Sequence, residues 1–583
     1  MTVATTAGSP LFPAAATTIP PTDQAALDAA VAALQAKKDA WVAVPVRERI
    51  ALVDQLMRGV RETAQRWVDA CLQAKGLAPD AGLAGEEWVL GPYALMKALR
   101  QLRGSLADIA RIGYPRIPGP VTTRPNGQVV ASVFPQTGYD RLLFTGLTGD
   151  IWMQPGVTKD DLFSTMAVNY RDKGHPGKVT LVLGAGNVSS IGPLDILDKL
   201  FTGDSVVIYK SNPITAYLGP LLEEAFRALI EPGWLRLVYG GAQEGAYLCR
   251  HPGVEEIHIT GSDKTFDAIV FGPGPEGAAR KAAGTPLLDK PITGELGNVS
   301  PVIIVPGPWS ASDIAYQAAH LASMLTTNAG FNCNATRVML TSDGWGQRVQ
   351  LLDAVRGVLA SVPPRAAYYP GAAERAGRFL EAHPEAEHFG EAGEGHLPWT
   401  LISGVSHANA DDIVFTTEAF CSLFAESPLP EADPAAFLQR AVAFCNEQLY
   451  GTLNATILIH PRTLKDPAVA AAMEHAVANL RYGTVGVNYW AGASFIMGVT
   501  TWGAYPGHTP HNVQSGIGVV HNTLMFSRAE KTVVRAPFKS VPVPPWFATR
   551  RRAGGGVFPR LTALEHQPSP AKLPAILSAA LAK

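Results

Sequence analysis

Apolar and polar positions alternate along the chain in two rhythms, and the changes between them divide it. Residues 22–110 keep a helical period. In PTDQAALDAAVAALQAKKDAWVAV, Thr22 or Asp23 supplies a cap and Ala, Leu and Val fall on one face. VRERIALVDQLMRGVRETAQRWVDACLQAKG repeats the pattern, so a helical layer is predicted, with Cys71 packed inside it. From 111 to 180 the rhythm turns to strands and loops, with β-branched residues between Pro and Gly and a PNG turn. Residues 178–213, KVTLVLGAGNVSSIGPLDILDKLFTGDSVVIYKSNP, read strand, glycine turn, helix, strand, which is a βαβ unit. Residues 236–266 read strand, helix, strand and turn. Helices follow within 339–415. From about 537 the chain is Pro- and Arg-rich. No internal repeat is present, and low complexity is confined to the two ends.

Composition narrows the class. At 583 residues, with 47% hydrophobic and 17% charged positions, the chain supports large cores in two or three domains. A formal charge of −2 points to neither a nucleic-acid nor an anionic-membrane partner. The five cysteines are odd in number and scattered, with no CxxC pair, which argues against a disulfide framework or structural zinc. No apolar run reaches the roughly 20 residues that span a bilayer. Residues 1–20 lack the basic start and apolar core of a signal peptide, so 1–21 reads as a flexible arm and the expected location is cytoplasmic.

Candidate chemistry gathers at two stretches. In TTNAGFNCNATRV (326–338), Cys333 stands among Asn328, Ala329, Gly330, Asn332 and Asn334, just before an apolar strand. Amides and a glycine are unusual company for a thiol that merely packs. Upstream, PITGELGNVSPVIIV (291–305) sets Glu295 between two glycines before another strand. A thiol and a carboxylate suit a nucleophile and a general base. GAGNVSSIG departs from G-x-G-x-x-G, because the glycine after Gly184 and Gly186 is Gly192. FGPGPEG matches that pattern literally, yet Pro273 and Pro275 remove backbone donors a phosphate would need, and it reads as an insertion loop. His508 and His511 have no third ligand in view, so no metal site is expected.

ELGNVSP resembles the E-L-G-G-K-S-P motif of the aldehyde dehydrogenase superfamily, and NAGFNCNA its N-x-G-Q-x-C block, in the family's order and at nearly its spacing. The resemblance covers roughly residues 25–535. It implies an α/β fold with a Rossmann-like cofactor domain, an α/β catalytic domain and a small β oligomerisation element. The boundaries expected are a helical layer and nucleotide-binding domain over 22–294 (with part of the oligomerisation element near 111–180), a catalytic domain over 295–490, closing strands over 491–536 and an extension over 537–583. It implies Cys333 as nucleophile, Glu295 as the base for hydrolysis, and Asn187 as an oxyanion donor beside the nucleophile's backbone N–H. Cofactor contacts are implied for Lys210 (adenosine ribose), Gly245, Thr260, Gly261 and Ser262 (a helix start under the pyrophosphate), Glu418 (nicotinamide ribose) and Phe420. The cofactor expected is NADP or NAD, the substrate a small-molecule aldehyde, and the assembly a homodimer or homotetramer, with no nucleic acid and no membrane.

Departures from the family pattern matter. Where NAD-preferring members carry an acid three positions after the lysine, this chain has Pro213, so a 2′-phosphate is not repelled. Cys421 and Ser422 replace the Gly-Pro of E-x-F-G-P. Residues 137–177 and 263–290 are longer than the family's, and the first could be a lid, a subunit contact or a substrate-access wall. Arg550, Arg551 and Arg552 read as a solvated cluster or a subunit contact. Phe331, Trp490, Phe495 and Trp502 hint at an apolar or aromatic aldehyde. Three other readings compete: a CoA-acylating aldehyde dehydrogenase or acyl-CoA reductase, against which Glu295 tells; a cysteine hydrolase, which needs a histidine base; and a non-catalytic scaffold of this fold.

Overall fold

The computed structural model describes residues 19–78, 82–172 and 174–582. Most of the expected N-terminal arm lies outside the described residues. Asp23 is the first cap, its carboxylate accepting from the Ala26 N–H at 2.8 Å ahead of the helix Gln24–Gln35. The helix Val46–Ala74 buries Val53, Leu56, Val60, Trp67 and Cys71 along one stripe, as its period requires. With Ala94–Ile112 it forms a layer that shares one apolar core with the first sheet.

That sheet has six strands in the order Gly516–Ile517, Ile292–Glu295, Glu256–Thr260, Val179–Leu183, Val206–Lys210, Leu235–Val238. All neighbours are parallel except the Gly516–Ile517 edge. The central strands Val179–Leu183 and Val206–Lys210 are buried at every position and mostly apolar, because both faces of the sheet are covered. A second sheet of eleven strands runs from Val121–Thr123 to Glu387–Phe389. At its centre Asn454–Leu458, Ser300–Ile304, Thr336–Ser342 and Leu423–Leu429 lie parallel. The chain leaves the first sheet at Glu295 and enters the second at Ser300. The C-terminal ends of one sheet therefore face the N-terminal ends of the other. The strands Val129–Phe134, Thr148–Met153 and Ala529–Arg535 form the antiparallel margin of this second sheet.

Two expectations need correction. The stretch FGPGPEG is not an insertion loop: Gly274–Ala283 is a helix. Pro273 is its extended cap, Pro275 sits in the first turn where no N–H is needed, and Gly284 ends it at φ 68°. The same prolines that exclude phosphate binding start a helix. The C-terminal extension is likewise ordered as two helices, Arg551–His566 and Leu573–Leu581. Its glycines permit contact: a Cβ on Gly85 would fall on the Gly554 backbone, so the helices Ala84–Trp88 and Arg551–His566 meet almost backbone to backbone. Nor are its three arginines all solvated: Arg552 is exposed, but Arg550 donates to the Ala580 and Ala582 carbonyls at 2.8 Å, closing the end of the last helix, and Arg551 is half-buried.

The long 137–177 stretch opens with a capping box, Thr137 with Asp140, and the helix Gly138–Leu143. Lys97 fastens it. Its buried ammonium donates to Asp140 at 3.1 Å and to Glu565 at 3.0 Å, and Glu565 is shared with Arg100. One lysine thus joins the helical layer, the 137–177 stretch and the C-terminal extension. Its removal leaves two buried carboxylates short of a counter-charge. Lys97→Met is expected to destabilise the protein by about 3–5 kcal/mol, measured by urea unfolding. An unchanged midpoint would show that the three segments are held elsewhere.

Candidate functional site

The turn that carries Cys333 is built by backbone conformation before side-chain chemistry. Ser310 and Asp313 cap the helix Ala311–Thr326 reciprocally. Beyond it, Asn328, Ala329 and Gly330 are all left-handed, at φ 52°, 54° and 80°. Gly330 has no substitute, because a Cβ there would fall on the Cys421 carbonyl. The two non-glycine residues are strained, and the Asn328 side chain compensates. Its amide donates to the Asn187 carbonyl at 2.9 Å, the Phe331 carbonyl at 3.1 Å and Asn332 Oδ1 at 3.2 Å. Its oxygen accepts from Lys75 Nζ and the Tyr368 hydroxyl, each at 2.9 Å. Lys75 is itself paired with Glu87 at 2.8 Å in the interior. The Asn328 N–H donates to Glu86, which also holds Arg365. Arg337 donates to the carbonyls of Gly330, Cys421 and Leu423 from below.

Cys333 emerges from this turn half-buried, and its thiol donates to Glu295 Oε1 at 3.1 Å. Glu295 ends the strand Ile292–Glu295 and is 2% exposed. Burial pushes its carboxyl above the usual range, against the opposing pull of Trp502, the thiol and His521. The Cys333 thiol is pushed well above its ordinary value by burial and by the Glu295 carboxylate. The Asn187 amide lies in the turn after Val179–Leu183 and donates to the Phe331 carbonyl at 3.0 Å. A primary amide carries a second N–H.

All the residues singled out in the sequence, Cys333, Glu295, Asn187, Lys210, Gly245, Thr260, Gly261, Ser262, Glu418 and Phe420, line one cleft of about 1190 Å³. Lys210 ends Val206–Lys210, 8% exposed and without a hydrogen-bond partner among the described residues, and burial brings its ammonium down to about 8. Glu418 is pushed up to about 7 by burial, opposed by Arg337, and its buried Oε1 has no hydrogen-bond partner among the described residues. Gly297 lets this carboxylate close on the backbone, since a Cβ would strike it. Gly245 leaves open room against Leu183. Ser262 caps the helix Asp263–Val270, accepting from the Thr265 N–H at 3.2 Å. The Thr260 hydroxyl is committed elsewhere, donating to the buried Asp195 at 2.9 Å.

Sequence reasoning missed several members. Asp195 lies 3.7 Å from His258 and 3.6 Å from His521, a buried cluster behind Glu295, and the imidazoles hold its carboxyl low although burial opposes them. Arg250 lines the cleft with Lys210 and Pro213, though the residues after Lys210 show no arginine. Lys75, Glu86, Glu87 and Tyr368 support the cysteine turn from far along the chain. No local signal marks any of them. Of the four aromatics, Trp490 and Phe495 line a second cavity that also reaches Cys333. Trp502 is buried beside Glu295, and Phe331 packs among Tyr368, Tyr369 and Phe420 in the core.

Residues 194–354 match the aldehyde dehydrogenase family model. Over 142 residues the chain is 34% identical to 4-trimethylaminobutyraldehyde dehydrogenase of Homo sapiens, covering 24% of this chain and 25% of that protein. Over 148 residues it is 30% identical to N-succinylglutamate 5-semialdehyde dehydrogenase of Sphingopyxis alaskensis, covering 25% of this chain and 28% of that one. The matches thus span about a quarter of the length of these curated relatives. The fold is similar over far more of the chain. A Mycobacterium tuberculosis aldehyde dehydrogenase complexed with NAD+ aligns with a TM-score of 0.59 at 18% identity, over 90% of this chain and 92% of that one. NADP-dependent glyceraldehyde-3-phosphate dehydrogenase from Bacillus halodurans C-125 aligns with a TM-score of 0.58 at 17% identity, over 88% and 92%. The central stretch 194–354 thus carries the aldehyde dehydrogenase family match, and the two-sheet fold is similar to that of solved aldehyde dehydrogenases over most of the chain.

Proposed function

We propose that the protein oxidises an aldehyde to the carboxylic acid with NADP or NAD, through a covalent thioester on Cys333. The observation that carries this reading is the 3.1 Å contact between Cys333 Sγ and Glu295 Oε1, at the junction of the large cleft and a smaller apolar cavity. Glu295 takes the thiol proton as sulfur adds to the aldehyde carbonyl carbon, and the carbonyl electron pair moves onto oxygen. The second Asn187 N–H meets that oxyanion. Loss of such a donor typically slows a reaction about 10²–10³-fold. A bound nicotinamide supplies the hydride acceptor that turns the thiohemiacetal into a thioester. Glu295, once it has shed its proton, takes one from a water whose oxygen adds to the thioester carbon. The C–S bond breaks, the acid leaves and the thiolate is restored.

The cleft suits a dinucleotide. Lys210 offers an unpaired ammonium to ribose hydroxyls, and the orphaned Oε1 of Glu418 is an acceptor waiting for a donor such as a ribose hydroxyl. The capped helix Asp263–Val270 begins in the wall of the cleft, where the start of a helix favours an anion. Pro213 supplies no carboxylate to repel a 2′-phosphate, and Lys210 and Arg250 bring positive charge to the same cleft. NADP is accepted on this reading, without exclusion of NAD.

Cys333→Ala is expected to lower aldehyde oxidation on the order of 10⁴-fold or more while NADP still binds. Absorbance at the reduced-cofactor band and a binding titration read the two effects, and wild-type-like turnover would sink the mechanism. Glu295→Gln removes the acceptor of the thiol proton as well as the base for hydrolysis, so it should give one slowed burst of reduced cofactor and then stall at the thioester. Because the carboxylate raises the thiol's pKa, the same variant should also alkylate with iodoacetamide at lower pH than the wild type. Steady turnover at the wild-type rate, or an alkylation profile unmoved, would remove Glu295 from both roles. Pro213→Glu should shift kcat/KM toward NAD by about tenfold or more through repulsion of the 2′-phosphate. An unmoved cofactor ratio would refute the assignment of Pro213 to the ribose pocket.

A further inference from the structure

Cys333 borders a second cavity, of about 220 Å³, in addition to the cofactor cleft. Nearly half of its lining comes from segments that the family resemblance leaves unexplained. Leu142 and Phe144 belong to the 137–177 stretch, so that stretch acts as an access wall. Trp546, Val557, Leu561 and Leu577 belong to the C-terminal extension. Lys97 ties the two segments together through Asp140 and Glu565. Three large apolar side chains that line the cavity are also open to solvent, Leu142 at 50%, Leu577 at 40% and Val541 at 92% exposure. Exposed apolar side chains scattered singly mean little, but a cluster at the mouth of an apolar chamber marks a binding surface.

We propose that this chamber holds the hydrocarbon body of the substrate, that the substrates are neutral medium- and long-chain aliphatic aldehydes, and that the C-terminal helices set the preferred chain length. The inference rests on the oxidation of an aldehyde at Cys333. A chain entering between Leu142, Val541 and Leu577 passes Trp546, Val557 and Leu561 and presents its carbonyl to the sulfur. Apolar walls reward each buried methylene and offer little to a polar body. Two charges also line the cavity. Glu86 is already bonded to the Asn328 N–H and to Arg365. Arg551 has no carboxylate within ion-pair distance among the described residues and is the one group that would favour an anionic tail. The apolar rim decides for the neutral chain, because a carboxylate at the mouth would lie against Leu142, Val541 and Leu577.

The test uses the full chain with NADP and a straight series of alkanals from propanal to dodecanal. We expect kcat/KM to rise about threefold to fourfold per methylene and to level off once the chain reaches the rim. Ala580→Trp, in the cavity wall on the last helix, should lower kcat/KM for decanal by roughly tenfold and leave propanal nearly unchanged. Leu577→Asp, at an exposed position, should give the same selective loss if the tryptophan disturbs the helix. Saturable quenching of tryptophan fluorescence by 1-decanol in the Cys333→Ala variant reads the chamber without any turnover. A flat chain-length profile with propanal oxidised, equal losses for propanal and decanal, or preference for an ω-oxo acid over the alkanal of the same length would each overturn the proposal. Should no aldehyde be oxidised, the proposed activity fails, and decanol binding alone then decides whether the chamber takes a hydrocarbon: absence of quenching overturns it as well.

Discussion

The left-handed turn Asn328–Gly330 is the constraint on which the site depends. Two non-glycine residues there cost about 1–2 kcal/mol each in backbone strain, and the turn persists because the Asn328 side chain uses both its amide hydrogens and its oxygen. That oxygen accepts from Lys75, whose charge is neutralised by Glu87 in the interior. Such a buried pair is costly to break and contributes little net stability by itself. Its value here is positional. It fixes the direction in which the chain leaves the turn, and so where the Cys333 sulfur meets Glu295.

Around this turn the two sheets divide the labour. The first sheet brings Asn187, Lys210, Thr260 and Glu295 to the C-terminal ends of adjacent parallel strands, where an open α/β sheet leaves room for a ligand. The second brings Cys333 and Glu418 to the beginnings of its own parallel strands. The crossing between sheets at 296–299 is short, so the carboxylate on one side and the thiol on the other cannot drift apart. Low dielectric then does the electrostatic work. Both groups are held above their usual pKa values, and a proton passed from sulfur to carboxylate travels between partners already in contact.

The C-terminal helices add a wall to this frame. They are joined to it by the Gly85–Gly554 approach, by Glu565 on Lys97 and Arg100, and by Arg550 on the last carbonyls. None of these contacts touches the cofactor cleft. The wall and the cleft therefore meet only near Cys333 and can vary independently, one shaping the space proposed for the substrate and the other the space proposed for the cofactor.

Much of the site was legible in the sequence because its chemistry is local. A thiol among amides, an acid between glycines ahead of an apolar strand, and a lysine at a strand end each declare an unusual environment within a few residues. The α/β alternation was legible for the same reason, as apolar runs and helical stripes are properties of short windows. What lay beyond the sequence depends on distant partners. Lys75 is an ordinary helix-end lysine until Glu87 and Asn328 surround it, and Arg250 reaches the cleft only because its helix packs beside Lys210. The glycines at 554–556 gave no sign of a contact until Gly85 came to rest on Gly554. Pro273 and Pro275 looked like a loop, although a proline in the first turn of a helix leaves no hydrogen bond unmade. Local composition determined which residues carry reactive groups and which segments are strands. Only tertiary packing decided which charges are buried together, which glycines mark contacts rather than slack, and where an apolar chamber opens onto the sulfur, because those facts belong to pairs of residues hundreds of positions apart.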